Sequence, residues 1–356
     1  MKKEFYKHYI FSGTPKEVGQ QHGEELRDVI HAHLERIYDD AGTMSDLTRE
    51  QALEYTRQFE PYVEKYSPDF TQELQGLAQG ANLTAQEALL LQIRQEVSHY
   101  KRFAAHGQEC SCFAVASSYT RDGKVYSGQN CDLIGDFEPM MNMVTMAVTG
   151  KPKVMMILPA GQISHSGMNS EGMSANCTFL NCNGWGMGYP RYLMSRLALE
   201  QWTMEEACKK LAIPERSSQR SITLCDAKGT MHMFEFTHSD MGERSCSGYA
   251  VHTNHFLIPE LKHLSSATQW EQHDSEMRHQ RLEELVTTNK GNIDHEMLKK
   301  FLADHANGNN SICVHSCKEN PYHTYVAMIN NLTDRVMEVC RGNPCQGEFA
   351  IYTFSE

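Results

Sequence analysis

The chain has 356 residues, enough for one large domain or two ordinary ones. Its composition is 40% hydrophobic and 22% charged with a mean hydropathy of −0.53, and no apolar run is long enough to cross a membrane. The formal net charge of −12 argues against a nucleic-acid partner, which favours a basic surface. Because no signal-peptide pattern opens the chain, we expect a cytoplasmic protein without a membrane partner.

The first hundred residues are predicted to be mostly helical after one short strand. Segment 5–12 has the pattern of a strand. Thr14, Pro15 and Glu17 then form the sequence signature of a helix N-terminus, with Thr14 as the capping residue. Further helices are predicted at 47–66, 68–79 and 84–101.

From Cys110 onward, short apolar runs alternate with turn residues and predict strands and hairpins. The later part of the chain has predicted helices at 189–211 and 258–306, and predicted strands at 220–226, 230–237, 249–253, 311–316, 323–330, 335–339 and 348–354. Strands come in runs and do not alternate singly with helices. This order predicts an α+β fold in which antiparallel sheets pack against layers of helices.

The chain has 12 cysteines but no CxxC pair, which argues against a zinc ribbon, and we expect no metal site and no cofactor. A large chain without a signal peptide does not need a disulfide framework. Most of these cysteines are predicted to be buried small residues. Cys110 differs because it begins a strand-like stretch and is followed by Ser111. Cys112, two residues further on, should lie on the same strand face as Cys110 and be a buried neighbour of it.

A cysteine nucleophile needs a proton acceptor and a group that stabilises an anion. The sequence shows no Cys-His-Asn order of the papain type. If the bond between Glu109 and Cys110 is cut, however, the new α-amino group has an intrinsic pKa of about 7.7–8.0 and can act as the base. The expected products are a helical segment, 1–109, and a catalytic portion, 110–356, which together form one compact domain.

Six motifs occur in order along nearly the whole chain: Gly13–Gly19 with His22-Gly23, Cys110-Ser111, Gly128–Asp132, Gly167–Gly172, Val251–Phe256, and Asp304-His305 with Ser311–Cys313. In these motifs the sequence resembles the acyl-coenzyme A:6-aminopenicillanic acid (isopenicillin N) acyltransferase family of the N-terminal nucleophile (Ntn) hydrolases. The resemblance implies a four-layer αββα sandwich and a precursor that is cut just before the cysteine.

The resemblance also implies roles for single residues. Cys110 would be the nucleophile, and its freed amine would be the base. Asp132 would hydrogen-bond the new N-terminus, and Asn254 would supply the amide of the oxyanion hole. The motifs offer further candidates for substrate binding, namely Ser111, Asn130, Asn169 and His252.

The sequence departs from the family pattern at two positions. Glu109 precedes the nucleophile, where the fungal member has glycine, and Val314 stands where many relatives carry arginine. Arg278 and Arg191 are the candidates to replace that arginine.

The predicted function is that of a self-processing cysteine amidohydrolase or N-acyltransferase. Its partner would be a small acyl amide or acyl thioester, acyl-coenzyme A among them, and hydrolysis of a small N-acyl compound is favoured because water is always available. A cysteine peptidase with an unprocessed thiol remains an alternative. A non-catalytic metal- or ligand-binding protein that uses the 18 histidines and 12 cysteines is another. Whether the chain forms a homo-oligomer stays open.

Overall fold

The computed structural model describes residues 5–98, 109–134, 137–318 and 320–354. The strands of the described residues are β1 (His8–Gly13), β2 (Glu109–Val115), β3 (Tyr126–Ile134), β4 (Met141–Val148), β5 (Val154–Pro159), β6 (Gly167–Asn169), β7 (Met173–Thr178), β8 (Arg220–Asp226), β9 (Met231–Phe236), β10 (Met241–Cys246), β11 (Tyr249–His252), β12 (Tyr322–Asn331), β13 (Val336–Arg341) and β14 (Phe349–Thr353). The helices are α1 (Pro15–Glu25), α2 (Arg27–Ser45), α3 (Arg49–Arg57), α4 (Glu60–Tyr66), α5 (Pro68–Ala81), α6 (Ala85–Leu90), α7 (Arg94–Ser98), α8 (Leu193–Leu199), α9 (Met204–Leu211), α10 (Gln269–Thr288) and α11 (His295–Leu302).

The strands form two sheets. The eight-stranded sheet has the order β1-β4-β5-β6-β7-β8-β9-β10, and the six-stranded sheet has the order β11-β2-β3-β12-β13-β14. Neighbouring strands are antiparallel except β1 and β4, which run parallel. The predicted antiparallel sheets are thus confirmed, with one parallel pair at the edge of the eight-stranded sheet. Between β1 and β4 the chain passes through helices α1–α7 and strands β2 and β3.

Apolar side chains fill three layers of core. Successive residues of a strand point to opposite faces of the sheet, and β5 illustrates this, because Met156 packs towards the N-terminal helices and Met155 packs between the two sheets. A third cluster lies between the six-stranded sheet and helices α10 and α11, where Phe113 of β2 meets Leu282 and Phe301. The order helices, sheet, sheet, helices confirms the predicted α+β fold with four αββα layers.

Glycines let α1 and α5 pack backbone against backbone. A Cβ atom added to Gly19 would lie 1.9 Å from the carbonyl oxygen of Glu73, and one added to Gly76 would lie 2.0 Å from that of Lys16. Gly23 and Gly80 have contacts that are similarly close. Only glycine permits this approach, so these positions fix how the first helix sits on the fifth.

Some element boundaries differ from those predicted. The capping box at Thr14 is confirmed, but the helix predicted at 189–211 is two helices, because Thr203 caps a new one through a bond from the Glu206 amide. Residues 311–316 form no strand, and β10, which is mostly exposed and polar, was not predicted. The end of the helix predicted at 84–101 lies outside the described residues. No helix in the described ranges is long and apolar enough to cross a membrane.

Candidate active site

Cys110 lies at the start of β2, between β3 and β11, and is only 4% exposed. It stands directly opposite Cys131 of β3, so the two side chains share one face of the sheet. The hydrogen bond from the Cys131 thiol, together with the backbone amide of Asp132, lowers the pKa of the Cys110 thiol despite its burial. The same bond, with burial, raises the pKa of Cys131. Of the pair, Cys110 is thus the sulfur that is favoured as a thiolate.

The backbone nitrogen of Cys110 donates a hydrogen bond of 2.9 Å to Oδ1 of Asn254. This places the predicted oxyanion residue, which lies just after β11, next to the predicted nucleophile. Its Nδ2 atom donates to the carbonyl oxygen of Phe179 at 3.0 Å, and its own backbone amide donates to the hydroxyl of Ser275. In the continuous chain, Asn254 therefore contacts Cys110 through its amide oxygen and not through its amide nitrogen.

Arg278 of α10 reaches the same strand end. Its Nη1 atom donates to the carbonyl oxygen of Cys110 at 2.8 Å and to the hydroxyl of Ser111 at 3.0 Å, and its Nη2 atom donates to Oδ1 of Asn254 at 3.0 Å. Asp274, one turn earlier on the helix, binds the guanidinium at 2.7 Å. Of the two arginines suggested to replace the one absent at position 314, Arg278 is the one that directly contacts the backbone of Cys110.

Asp132 lies opposite Glu109 across β2 and β3 and is fully buried. The hydroxyl of Thr324 donates to its Oδ1 atom at 2.6 Å, whereas its Oδ2 atom has no hydrogen-bond partner among the described residues. Burial, and next the negative charge of Cys110, raise the pKa of Asp132 well above its usual range. The structure describes the backbone but not the side chain of Glu109.

Three other predicted residues hold the scaffold together. The side-chain amide of Asn130 donates to the carbonyl oxygen of Leu302, the last residue of α11, and to that of Ile312. The Nε2 atom of His252 lies 2.9 Å from the buried carboxylate of Glu235. Asn169 accepts bonds from two backbone amides of the turn between β6 and β7 and donates to the carbonyl oxygen of Leu199. The structure does not bring these three to the cavity beside Cys110.

A small cavity, here called the Cys110 cavity, lies between the two sheets. It is lined by Cys110, Gln129, Cys131, His165, Cys177, Thr178, Phe179, Arg191, Arg220 and Tyr325. Its volume is about 10 Å³, roughly the space of one water molecule. A substrate can enter only if the residues around this cavity move.

Three buried arginines gather beside the Cys110 cavity. The guanidinium groups of Arg94, Arg191 and Arg220 lie 4.9–5.0 Å from the ring centre of Tyr192. Burial by itself would raise the pKa of the Tyr192 phenol, but the three positive charges outweigh it, so the pKa is lowered overall. Glu96 is the acidic neighbour of Arg191, and the Nε atom of each arginine has no hydrogen-bond partner among the described residues. This arrangement has an excess of buried positive charge.

Sequence reasoning did not identify Arg94 or Arg220, because nothing in their local sequence indicates that the fold brings them together. It also did not single out His165, whose Nδ1 atom has no partner among the described residues. Burial, and then the nearby arginines, lower the pKa of His165 well below its usual range, so its imidazole is neutral.

Possible metal ligands lie elsewhere. His305, Cys313, His315 and Cys345 come together with ligand atoms within 4.8 Å of one another, and Cys208, His232 and Glu243 form a second, smaller group. The expectation of no metal site rested on the absence of CxxC pairs, and it did not consider ligands brought together from distant loops.

Three comparisons relate the chain to known proteins. The family described as "Acyl-coenzyme A:6-aminopenicillanic acid acyl-transferase" matches residues 119–346, which is more than half of the chain and begins after Cys110. The "Acyl-coenzyme A:6-aminopenicillanic-acid-acyltransferase 40 kDa form" of Emericella nidulans is 27% identical over 312 residues, covering 86% of this chain and 84% of that protein.

Two solved structures are also similar. A mutant conjugated bile acid hydrolase from Clostridium perfringens matches with a TM-score of 0.49 and 14% identity, covering 69% of this chain and 97% of that one. Penicillin V acylase from Agrobacterium tumefaciens matches with a TM-score of 0.46 and 15% identity, covering 65% of this chain and 83% of that one.

Proposed function

The chain belongs to the acyl-coenzyme A:6-aminopenicillanic acid acyl-transferase family, and from that premise we propose that it is a self-processing enzyme with Cys110 as its nucleophile. Cutting before Cys110 gives a small fragment, 1–109, and a large fragment, 110–356. The enzyme then transfers an acyl group from a small amide or thioester to Cys110 and releases it to water. Acyl transfer to an amine uses the same thioester.

The observation that carries this proposal is the carboxylate of Asp132. It is fully buried, it faces across the sheet to the residue before the nucleophile, and its Oδ2 atom has no hydrogen-bond partner among the described residues. A buried carboxylate without its full set of partners is costly. The ammonium group produced by cutting before Cys110 would supply a positively charged partner at that place, which would lower the pKa of Asp132.

Processing begins when the Cys110 sulfur attacks the carbonyl carbon of Glu109. The carbon–nitrogen bond breaks, the nitrogen of Cys110 takes up a proton, and residue 109 becomes joined to the sulfur as a thioester. Water hydrolyses the thioester and regenerates the thiol, leaving a free carboxylate and a free amine. The lowered pKa of Cys110, caused first by the hydrogen bond from Cys131, supports this role for the sulfur.

Turnover follows the same chemistry with an external substrate. The freed amine of Cys110 accepts the thiol proton, and the sulfur bonds to the acyl carbon of the substrate. The carbon–nitrogen or carbon–sulfur bond breaks, and the leaving group takes the proton. Water then attacks the thioester, which releases a carboxylic acid. Asn254 is the proposed oxyanion donor, which requires its Nδ2 atom to turn from Phe179 to the substrate.

The substrate of this reaction carries an anionic group. Arg191 and Arg220 line the same cavity as Cys110, and their Nε atoms have no partner among the described residues. A carboxylate in the acyl compound can accept hydrogen bonds from such guanidinium groups. Acyl amides with a carboxylate are therefore the first compounds to test.

The test compares the intact masses of the wild-type protein, Cys110→Ala and Cys112→Ala. Cys112 is the matched control, because it lies on the same strand face and burial raises its pKa. We expect fragments 1–109 and 110–356 from the wild type and the control, and one uncut chain without turnover from Cys110→Ala. An uncut wild-type chain that turns over substrate fully would disprove self-processing.

A second candidate is a cysteine hydrolase that works without cutting. The observation in its favour is His165, a neutral buried histidine that lines the Cys110 cavity and could take the thiol proton. This mechanism expects turnover by the uncut chain and loss of that turnover in His165→Gln. Under the self-processing mechanism, an uncut chain is inactive, because the α-amine of Cys110 must be freed before it can act as the base.

A further inference from the structure

Four side chains from three separate loops converge at the end of the six-stranded sheet where β12 begins and β13 ends. His305 follows α11, Cys313 and His315 precede β12, and Cys345 lies between β13 and β14. The Nε2 atom of His315 lies 3.1 Å from Nε2 of His305, 3.2 Å from Sγ of Cys345 and 3.8 Å from Sγ of Cys313.

Hydrogen bonding alone does not account for this convergence. One imidazole nitrogen carries a single proton or a single lone pair in the ring plane, so it makes one good hydrogen bond. The Nε2 atom of His315 instead has three close neighbours, each of them an imidazole nitrogen or a thiol sulfur that can bind a metal ion. A metal ion bound at the centre of the four side chains would explain why their ligand atoms lie so close together.

The distances fit a tetrahedral zinc ion. Bonds of about 2.3 Å from zinc to sulfur and about 2.0–2.1 Å from zinc to nitrogen separate the ligand atoms of a tetrahedron by roughly 3.3–3.8 Å. The three distances from His315, 3.1, 3.2 and 3.8 Å, lie close to that range. Two thiolates and two imidazoles also balance the charge of Zn²⁺ and are ligands that it prefers.

We propose that His305, Cys313, His315 and Cys345 bind one Zn²⁺ ion in a closed, structural site. The two cysteines bind as thiolates and release their protons to solvent on binding. Four protein ligands leave no open position for water or substrate, so the ion does not take part in catalysis. The site shares no residue with the Cys110 cavity, and the inference does not depend on the proposed function.

The site would hold one wall of the candidate active site. Between the two ligands Cys313 and His315 lies Val314, whose backbone amide donates to the hydroxyl of Thr324 at 3.0 Å. That hydroxyl donates to Asp132 at 2.6 Å. The side chain of Asn343 also donates to Val314, at 2.7 Å. Zinc would thus fix the loop that positions the partner of the Asp132 carboxylate.

The experiment measures metal in the full-length chain, purified under reducing conditions without chelator. We expect about one zinc per chain by inductively coupled plasma mass spectrometry. Metal-free wild-type protein titrated with Co²⁺ should give the intense visible and near-ultraviolet absorption of tetrahedral cobalt bound to thiolates. Zn²⁺ should abolish this spectrum and raise the Tm by several degrees.

Cys345→Ser should lose the zinc and the cobalt spectrum, whereas Cys317→Ser is the matched control and should keep both. Cys317 is an exposed cysteine in the loop that carries Cys313 and His315, and it is not one of the four proposed ligands. Circular dichroism shows whether each variant is folded. The proposal is overturned if reduced wild-type protein gives neither bound zinc nor the cobalt spectrum, or if folded Cys345→Ser binds metal as the wild type does.

Discussion

The Nη1 atom of Arg278 donates a hydrogen bond of 2.8 Å to the carbonyl oxygen of Cys110. The same guanidinium binds Asn254 and is paired with the buried carboxylate of Asp274. One helical side chain thus fixes the backbone of the proposed nucleophile and the amide of the proposed oxyanion residue. Its contribution to stability can be separated from its contribution to catalysis.

Arg278→Met should destabilise the protein by about 3–5 kcal/mol, because it leaves the Asp274 carboxylate buried without its partner. The double variant Arg278→Met with Asp274→Asn removes both charges and should recover most of that loss. Turnover should stay low in both, because Cys110 and Asn254 lose the same hydrogen bonds in each. Urea denaturation and kcat measure the two effects. Wild-type kcat in the double variant would show that Arg278 acts only on stability.

Asp132 should affect stability with opposite signs before and after processing. Burial, more than any other cause, raises the pKa of Asp132 in the folded, uncut chain well above its usual range. The folded chain then binds the proton more tightly than the unfolded one, so this group lowers stability as pH rises above about 4. In the uncut Cys110→Ala background, adding Asp132→Asn should therefore stabilise the chain at pH 7 by about 1–3 kcal/mol. The gain should shrink towards pH 4.

In a processed chain the new ammonium group would pair with Asp132, and the sign should reverse. Asp132→Asn in an otherwise wild-type background should slow processing, and any cut protein it gives should be less stable at pH 7 than cut wild type. Thermal denaturation between pH 4 and pH 8 gives both comparisons. The same sign in the cut and uncut forms would contradict the proposed pairing.

Arg220 should affect substrate affinity according to substrate charge. Arg220→Met should raise KM for acyl amides that carry a carboxylate by about tenfold or more, which corresponds to about 1.4 kcal/mol. A neutral analogue of the same size is the control and should show little change in KM. Equal effects on both compounds would indicate that Arg220 supports the structure of the cavity and does not recognise an anion.

The candidate site residues that were predicted from the sequence are those that short motifs encode. Cys110, Asp132 and Asn254 lie in separate motifs, and the structure brings all three to one end of β2 and β3. The cap at Thr14 was predictable for the same reason, since the capping and capped residues are three positions apart. In each case the signal is local in sequence.

The parts that were not predicted depend on contacts between distant segments. Arg94 of α7 and Arg220 of β8 both lie against the ring of Tyr192, although they are far apart in the sequence, and neither has a distinctive local sequence. The same holds for His305 and Cys345, which come from loops on either side of β12 and β13. Spacing rules for metal sites apply to ligands on one hairpin or helix, so they do not detect such a set.

The packing of α1 on α5 should tolerate no side chain at its glycines. Gly76→Ala would place a Cβ atom 2.0 Å from the carbonyl oxygen of Lys16, and backbone atoms cannot shift aside as flexible side chains do. We expect a loss of at least about 3 kcal/mol or failure to fold, because overpacking against the backbone forces the helices apart.

The matched control is Gly42→Ala in α2, where the nearest atom to the added Cβ, the carbonyl oxygen of Leu47, is 3.8 Å away. The Cβ atom added here lies at an ordinary contact distance. Because alanine loses less backbone entropy on folding than glycine does, Gly42→Ala should stabilise the chain by about 0.5–1 kcal/mol. Thermal or urea denaturation of both variants decides the matter. If Gly76→Ala were as stable as Gly42→Ala, the two helices would not be held in direct backbone contact in solution.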